Sequence, residues 1–270
     1  MSWTIVTGAS GAMGAAAVEA VAAQGCAVLM ACRNRAKAES VRSDILTRVP
    51  NARLEIGDLD LSSMESVRKF ADSLEAGSVS ALFNNAGTTN KEFRLTEDGL
   101  ENTFSVNYFG PWLLTRLLAG KMPEGGHIVN MVSLSCRYYH ITPDSLKPDE
   151  KSFRQIGNYA RSKRALLSFT QELARRYPGL RVNAADPGIV ATDLIDLGHW
   201  FDPITDALFK PLCKTPKAGV KPALRALSTE ETNHYFVGKG YRPIPRHYLT
   251  PDLDQALWET TEEVLSPFLA

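Results

Sequence analysis

A doubly wound, parallel α/β sheet of about seven strands with helices on both faces is predicted by three observations on this 270-residue chain. Short apolar runs alternate with longer amphipathic ones almost from end to end, the pattern of repeated βαβ units. The short runs are continuously apolar rather than alternating, as strands covered by helices on both faces must be. The first of them runs straight into a glycine-rich turn and then a helix. No repeat, low-complexity tract or linker interrupts the pattern, so residues 1–270 read as one domain.

The elements follow in order. Strand 3–6 leads into Thr7-Gly8-Ala9-Ser10-Gly11-Ala12-Met13-Gly14 and a helix over 15–23. Such a turn lets backbone approach a pyrophosphate, and the helix N-terminus adds free N–H groups and a positive dipole end. Glycine turns also serve merely to reverse a chain, but this one opens an alternating β/α sequence, which favours a Rossmann-type dinucleotide site. Strand 27–31 and helix 36–48 come next, then strand 54–56, helix 64–74 and strand 81–84. A long helix over 99–118, strand 127–132, helix 159–176 and strands 181–185 and 235–237 complete the sheet. Beyond Asp193 the texture changes: Trp200, Phe201 and Phe209 mix with Pro203, Pro211 and Pro216, which suggests a substrate lid over 193–216. Thr215-Pro216 and Thr250-Pro251 each pair an N-cap with a first-turn proline and predict helices over 217–227 and 252–265.

Composition narrows the class. Thirty basic and 30 acidic residues give a net charge of zero, which speaks against nucleic acid or an anionic membrane as partner. Cys26, Cys32, Cys136 and Cys213 are scattered without a CxxC, as expected of reduced thiols rather than a disulfide or metal framework. The most apolar N-terminal window, 12–32, is broken by Glu19, Gln24 and Gly25 and has no basic flank. The expectation is a cytoplasmic chain without a membrane anchor, and with no metal site.

Cofactor choice is read at the end of the second strand. An acid there would bind the adenosine ribose hydroxyls. This chain has Cys32 followed by Arg33, and a guanidinium can clamp a phosphate in bidentate fashion. NADP(H) is therefore expected over NAD(H), against the alternative of a solvated surface arginine. Asp58-Leu59 and Asn84-Asn85-Ala86-Gly87 fall at carboxyl ends of strands, where such sheets bind ligands. Asp58 can accept a hydrogen bond from an adenine amine or cap the next turn, and the Asn-Asn-Ala-Gly loop allows close approach.

Chemistry is suggested by Tyr159 and Lys163, which share one face of a helix at i and i+4. An ammonium about 4 Å from a phenolate is worth about 4 kcal/mol at an intermediate dielectric. That could lower a phenol from about 10 by as much as about 3. The pattern is cheap, and Tyr235 and Lys239 repeat it, but on a strand ending in a Gly-Lys-Gly turn where the two share no helical face. Ser133, delivered by strand 127–132, can hold a substrate oxygen, and Asn107 is a poor helix-interior residue that could carry a water.

In order and spacing these segments resemble the short-chain dehydrogenase/reductase family, from about Thr4 to Gly240. The resemblance rests on the Thr7–Gly14 turn, Asp58, Asn84–Gly87, Asn107, Ser133, Tyr159-Ala160-Arg161-Ser162-Lys163 and Pro187-Gly188-Ile189-Val190-Ala191-Thr192. It implies a tetrad of Asn107, Ser133, Tyr159 and Lys163, with Lys163 also binding the nicotinamide ribose. It implies further cofactor contacts along Pro187, Gly188, Ile189 and Thr192. Ala31–Asn34, the run 58–63, Thr96–Gly99 and the run 169–176 look most like the retinol-dehydrogenase and protochlorophyllide-reductase branch. That branch implies a bulky apolar carbonyl or alcohol as substrate. A small polar or sugar-like carbonyl, or a non-catalytic NADP-binding redox sensor, are the alternatives. Relatives often form homodimers or homotetramers through the helices carrying Asn107 and Tyr159. Ala12 departs from the family's glycine and sets a methyl group beside the expected pyrophosphate.

Overall fold

The seven expected strands and one more lie in a single sheet in a computed structural model that describes residues 2–190, 213–245 and 249–269. They are β1 (Trp3–Thr7), β2 (Ala27–Cys32), β3 (Leu54–Asp58), β4 (Val79–Asn84), β5 (His127–Met131), β6 (Arg181–Asp186), β7 (His234–Val237) and β8 (Gly240–Pro243). Their order is β3-β2-β1-β4-β5-β6-β7-β8, parallel throughout except for the last pair. The unforeseen β8 is an antiparallel edge strand of GYRP, exposed along its length. It is joined to β7 by Gly238-Lys239, with Gly238 at φ 56°. Its one large apolar side chain, Tyr241, stacks on Phe236 from an exposed position, so no apolar run marks the strand and only the turn could have betrayed it.

Alternate side chains of each strand enter opposite cores. Ile5, Leu29, Leu82, Ile128 and Val182 face one, and Val6, Val28, Met30, Phe83 and Val129 the other. The second core is closed by α1 (Ala12–Ala23) and α2 (Arg35–Arg48), through Val18, Val21 and Ile45. The first is closed by α3 (Met64–Asp72), a helix in three pieces, α6 (Gln155–Arg176) and a C-terminal helix. The three pieces are α4 (Asn102–Phe104), a π-helical segment (Ser105–Phe109) and α5 (Gly110–Ala119). The single helix expected over 99–118 is therefore interrupted, and Asn107 sits inside the interruption. The helix expected over 217–227 is likewise two short ones, α7 (Pro216–Gly219) and α8 (Lys221–Ala226), because Pro222 restarts it. Thr215 caps α7 by accepting from Ala218 N, as its sequence position predicts.

The C-terminal helix α9 (Pro251–Leu269) packs on α5 and α6 through Trp258. That ring lies 5.1 Å from Trp112 and stacks at 5.7 Å on Phe169, with the guanidiniums of Arg176 and Arg116 at 4.4 and 5.0 Å. Beside it, Asp254 is buried and accepts from Ser168 Oγ at 2.5 Å and Gln171 Nε2 at 3.2 Å, fixing α9 along α6. Among the described residues, no helix is long and apolar enough to cross a membrane.

Because Trp258 fills the joint between α9 and the helix carrying Tyr159, Trp258→Ala should cost about 3–5 kcal/mol by urea unfolding. A cost below about 1 kcal/mol would show that α9 is not anchored through this ring.

Candidate active site

Strand order reverses between β1 and β4, and a doubly wound sheet opens a crevice at the carboxyl ends of its strands at that point. A cleft of about 1540 Å³ lies there. It is lined at its centre by Gly8, Ser10, Gly11, Ala12, Met13 and Gly14. The turn is built around absent side chains. Gly8 adopts φ 64°, and a Cβ on it would stand 2.9 Å from Ala86 Cα. A Cβ on Gly14 would stand 2.2 Å from Gly8 O, so α1 can approach β1 this closely only with glycine there. Gly11 is the N-cap of α1 and supplies no side-chain hydrogen bond, which leaves the first-turn amides for whatever occupies the cleft. Thr7 ties the neighbouring loop in place: its Oγ1 accepts from Asn85 N and Ala86 N, both at 3.0 Å, and its carbonyl accepts from Asn85 Nδ2 at 2.9 Å. Ala12 is the first residue of α1 and is exposed on the cleft, so its methyl group strains nothing within the protein. The uncapped helix end and the glycine cradle fit a dinucleotide.

Tyr159 and Lys163 lie on α6, and both line the cleft beside Ser133 and Gly87. Lys163 is buried, and its Nζ donates to Met131 O at 2.9 Å. Burial alone pushes its ammonium down to about 8. A Cβ on Gly87 would stand 3.3 Å from that Nζ, so glycine keeps the approach to the lysine open. The lysine-lowered phenol that the sequence suggests is not what this arrangement holds. Burial pushes Tyr159 up to about 12, and a hydrogen bond with Ser133 opposes it only in part. The carboxylate of Asp186 and the thiol of Cys136 add to the rise. Ser133 caps a short 3-10 turn (Leu134–Arg137) and accepts from Ser135 Oγ at 3.0 Å.

Asn107 is a brace. Its Oδ1 accepts from Thr88 N at 2.8 Å, and its Nδ2 donates to Thr88 O at 2.9 Å and to Ser162 Oγ at 3.0 Å. Both amide hydrogens are thus engaged, linking the loop after β4 to the turn of α6 between Tyr159 and Lys163. A π segment shifts side chains out of ordinary helical phase, and here it brings Asn107 to that junction. The second tyrosine–lysine pair is separated as expected. Tyr235 is buried on β7 with its hydroxyl on Asp186 Oδ2, and Lys239 lies in the turn beyond.

At one end of the cleft stand Cys32, Arg33, Asn34, Lys37, Leu59 and Asp60. Arg33 is in place as expected, its guanidinium largely exposed. Asp58 does not line the cleft. Its exposed carboxylate takes Arg35 Nη1 at 3.0 Å, and its charge reaches Cys32 at the cleft. Asp60, which the sequence did not single out, lines the cleft instead. Toward the other end are Pro187, Gly188 (φ 74°), Ile189 and Val190. Gly188 N donates to Asp186 Oδ1 at 2.8 Å. Thr192 and residues 193–212 of the expected lid lie outside the described residues. The sequence reading also missed Leu95, Tyr138 and Ile156. These three and Ile189 are exposed by 56, 73, 48 and 69%, and all four line the cleft. They lie in loops or at a helix start, where periodicity carries no signal.

A family model described as short chain dehydrogenase matches residues 2–197. The chain belongs to that family. Human retinol dehydrogenase 13 is 34% identical over 257 residues, covering 89% of this chain and 78% of that protein. Human retinol dehydrogenase 14 is 31% identical over 284 residues, covering 96% and 84%. A crystal structure of an uncharacterized protein from Mycobacterium paratuberculosis superimposes with a TM-score of 0.80 at 28% identity, covering 98% of this chain and 94% of that one. The chain is thus an oxidoreductase of CH–OH and C=O groups in the retinol-dehydrogenase branch, with a fold that binds a nicotinamide cofactor.

The buried lysine has a consequence for stability. The folded protein releases the Lys163 proton near 8, whereas the unfolded chain keeps it to about 10.5. The unfolded state therefore binds more protons between those values, and stability rises with pH across that window. Below about 8 the full cost of the buried ammonium is present. Lys163→Met should accordingly raise the urea midpoint at pH 7, with an advantage over wild type that shrinks toward pH 10. An advantage that stays constant with pH would contradict the assignment.

Proposed function

We propose that this chain is an NADP(H)-dependent oxidoreductase acting on bulky apolar carbonyls and alcohols of retinoid, steroid or aromatic-ketone type. The observation that carries the substrate half is the set Leu95, Tyr138, Ile156 and Ile189. These large apolar side chains are left exposed on the walls of the cleft that holds Tyr159. Leaving them in water is unfavourable, and an apolar substrate removes that cost on binding. The names of the relatives, retinol dehydrogenases 13 and 14, point to the same class.

The residues that would hold the dinucleotide are the turn Gly8, Ser10, Gly11, Ala12, Met13 and Gly14 at the pyrophosphate and Arg33 at a 2′-phosphate. Leu59 and Asn85-Ala86-Gly87 would lie along it, with Pro187, Gly188, Ile189 and Thr192 at the nicotinamide end. When bound, the nicotinamide supplies or accepts the hydride. The protein's part is to hold the substrate oxygen and move a proton at one atom. Ser133 Oγ, already joined to the Tyr159 hydroxyl, positions the carbonyl oxygen by hydrogen bonding. Tyr159 Oη gives that oxygen its proton in reduction and takes it back in oxidation. A phenol near 12 is reluctant to release a proton. Protonated Lys163 is the cation on the same helix face that offsets this reluctance once its ammonium is drawn from Met131 O toward the cleft. Asn107 fixes the helix turn between the two by its bond to Ser162, whose hydroxyl in turn donates to Tyr159 O at 2.7 Å.

The test is NADPH oxidation with ketones and aldehydes graded in apolar size. kcat/KM should rise with size, and Tyr159→Phe should lower kcat by about 10²–10⁴-fold while the variant still binds NADPH. Full activity in Tyr159→Phe would remove the mechanism. A preference for small sugar-like carbonyls would remove the substrate class, and NADPH binding without turnover of any carbonyl would favour a sensor.

A further inference from the structure

The acid that the sequence lacks at the end of β2 is supplied from elsewhere. Asp60 lies two residues past β3, lines the same end of the cleft as Arg33, and places Oδ2 3.8 Å from Arg33 Nη1. Its carboxylate cannot swing away freely, because Oδ1 is held by Ser62 N at 2.9 Å and Ser62 Oγ at 2.6 Å. Arg33 is thus already paired with a fixed anion. Asp58 and Arg35, whose charges also reach Cys32, pair with each other at 3.0 Å. That leaves Lys37 in the first turn of α2, whose backbone is set by the cap in which Asn34 Oδ1 accepts from Lys37 N at 2.9 Å. The Lys37 side chain is exposed, and among the described residues it has no acidic partner.

We propose that Asp60 and Lys37, acting on opposite sides around Arg33, determine how strongly this chain prefers a 2′-phosphorylated dinucleotide. The proposal rests on the NADP(H) reading of Arg33 and goes beyond it by naming the two residues that set its strength. A carboxylate accepts hydrogen bonds from free ribose hydroxyls and repels a phosphate dianion. It also occupies a guanidinium that would otherwise be free for the phosphate. Asp60 therefore favours the unphosphorylated ribose. Lys37 is the uncompensated cation that turns the balance, since Arg33 and Asp60 nearly cancel and Lys37 leaves the end of the cleft net positive. Lys37 is exposed and Asp60 half-buried, so their influence is exerted largely through solvent and should weaken with salt.

The adenosine halves alone test this without any turnover. Binding of 2′,5′-ADP and of 5′-AMP is measured by titration calorimetry at low salt for wild type, Asp60→Asn and Lys37→Met, with thermal midpoints confirming that each is folded. Asp60→Asn should tighten 2′,5′-ADP about tenfold without tightening 5′-AMP. Lys37→Met should weaken 2′,5′-ADP about tenfold, leave 5′-AMP unchanged and flatten the salt dependence. An unchanged ratio of the two affinities in Asp60→Asn overturns the role of Asp60. Equal loss of both ligands in Lys37→Met overturns that of Lys37. A wild type that binds both ligands alike, but gains a preference for 2′,5′-ADP in Asp60→Asn, overturns the NADP(H) reading while upholding the role of Asp60. Failure of wild type and Asp60→Asn alike to bind 2′,5′-ADP overturns both.

Discussion

A buried lysine ammonium, bonded among the described residues to one backbone carbonyl, is the feature on which this site turns. Lys163 is buried among α6, β5 and the loop after β4, and of its three donors one is directed to Met131 O. An ammonium taken out of water and given one neutral acceptor is poorly compensated, and it responds by giving up its proton more readily. The same burial has the opposite sign at Tyr159, four residues earlier, where it makes the phenol hold its proton. Desolvation thus drives the two groups apart, the lysine down to about 8 and the tyrosine up to about 12. Glycine at position 87 keeps the approach to the ammonium open, since a Cβ there would stand 3.3 Å from Nζ.

The rest of the architecture serves to hold that pair at the carboxyl edge of the sheet. α6 is long and buried along most of its length, so Tyr159 and Lys163 cannot rotate out of the crevice without disturbing a core. Its outer side is secured by Trp258 and Asp254 of α9, and its inner side by Asn107 through Ser162. On the opposite wall, Gly14 lets α1 meet β1 and Thr7 pins the Asn-Asn-Ala-Gly loop. Substrate walls, by contrast, are made from loop residues such as Leu95 and Tyr138. A polar floor and an apolar rim fit the bulky apolar substrate proposed above.

The strands were legible because continuous apolar runs have few other uses, and their alternation with amphipathic runs marked a parallel sheet. Tyr159 was separated from Tyr235 by secondary structure alone, since a strand and a two-residue turn cannot align i with i+4. Local distortions were not legible. The π segment at Asn107 leaves no compositional trace, because nothing in Ser-Val-Asn-Tyr-Phe forbids an ordinary helix. The two acids of Asp58-Leu59-Asp60 differ only in which side of the chain they leave once β3 ends, and only the fold decides that Asp60 reaches Arg33. The upward push on Tyr159 was not legible for a related reason. Coulomb attraction between neighbours can be read from spacing, whereas burial is a property of the whole fold.

The central claim is that burial lowers Lys163 and that cofactor binding restores its proton, and proton linkage tests it directly. Calorimetric titration of NADPH at pH 8, in buffers of different ionisation enthalpy, counts the protons exchanged on binding. Since the ammonium titrates near 8 in the ligand-free protein, new oxygen partners should raise it, and wild type should take up as much as about half a proton per site. That uptake should vanish in Lys163→Met. No uptake by wild type, or the same uptake in Lys163→Met, would contradict the account.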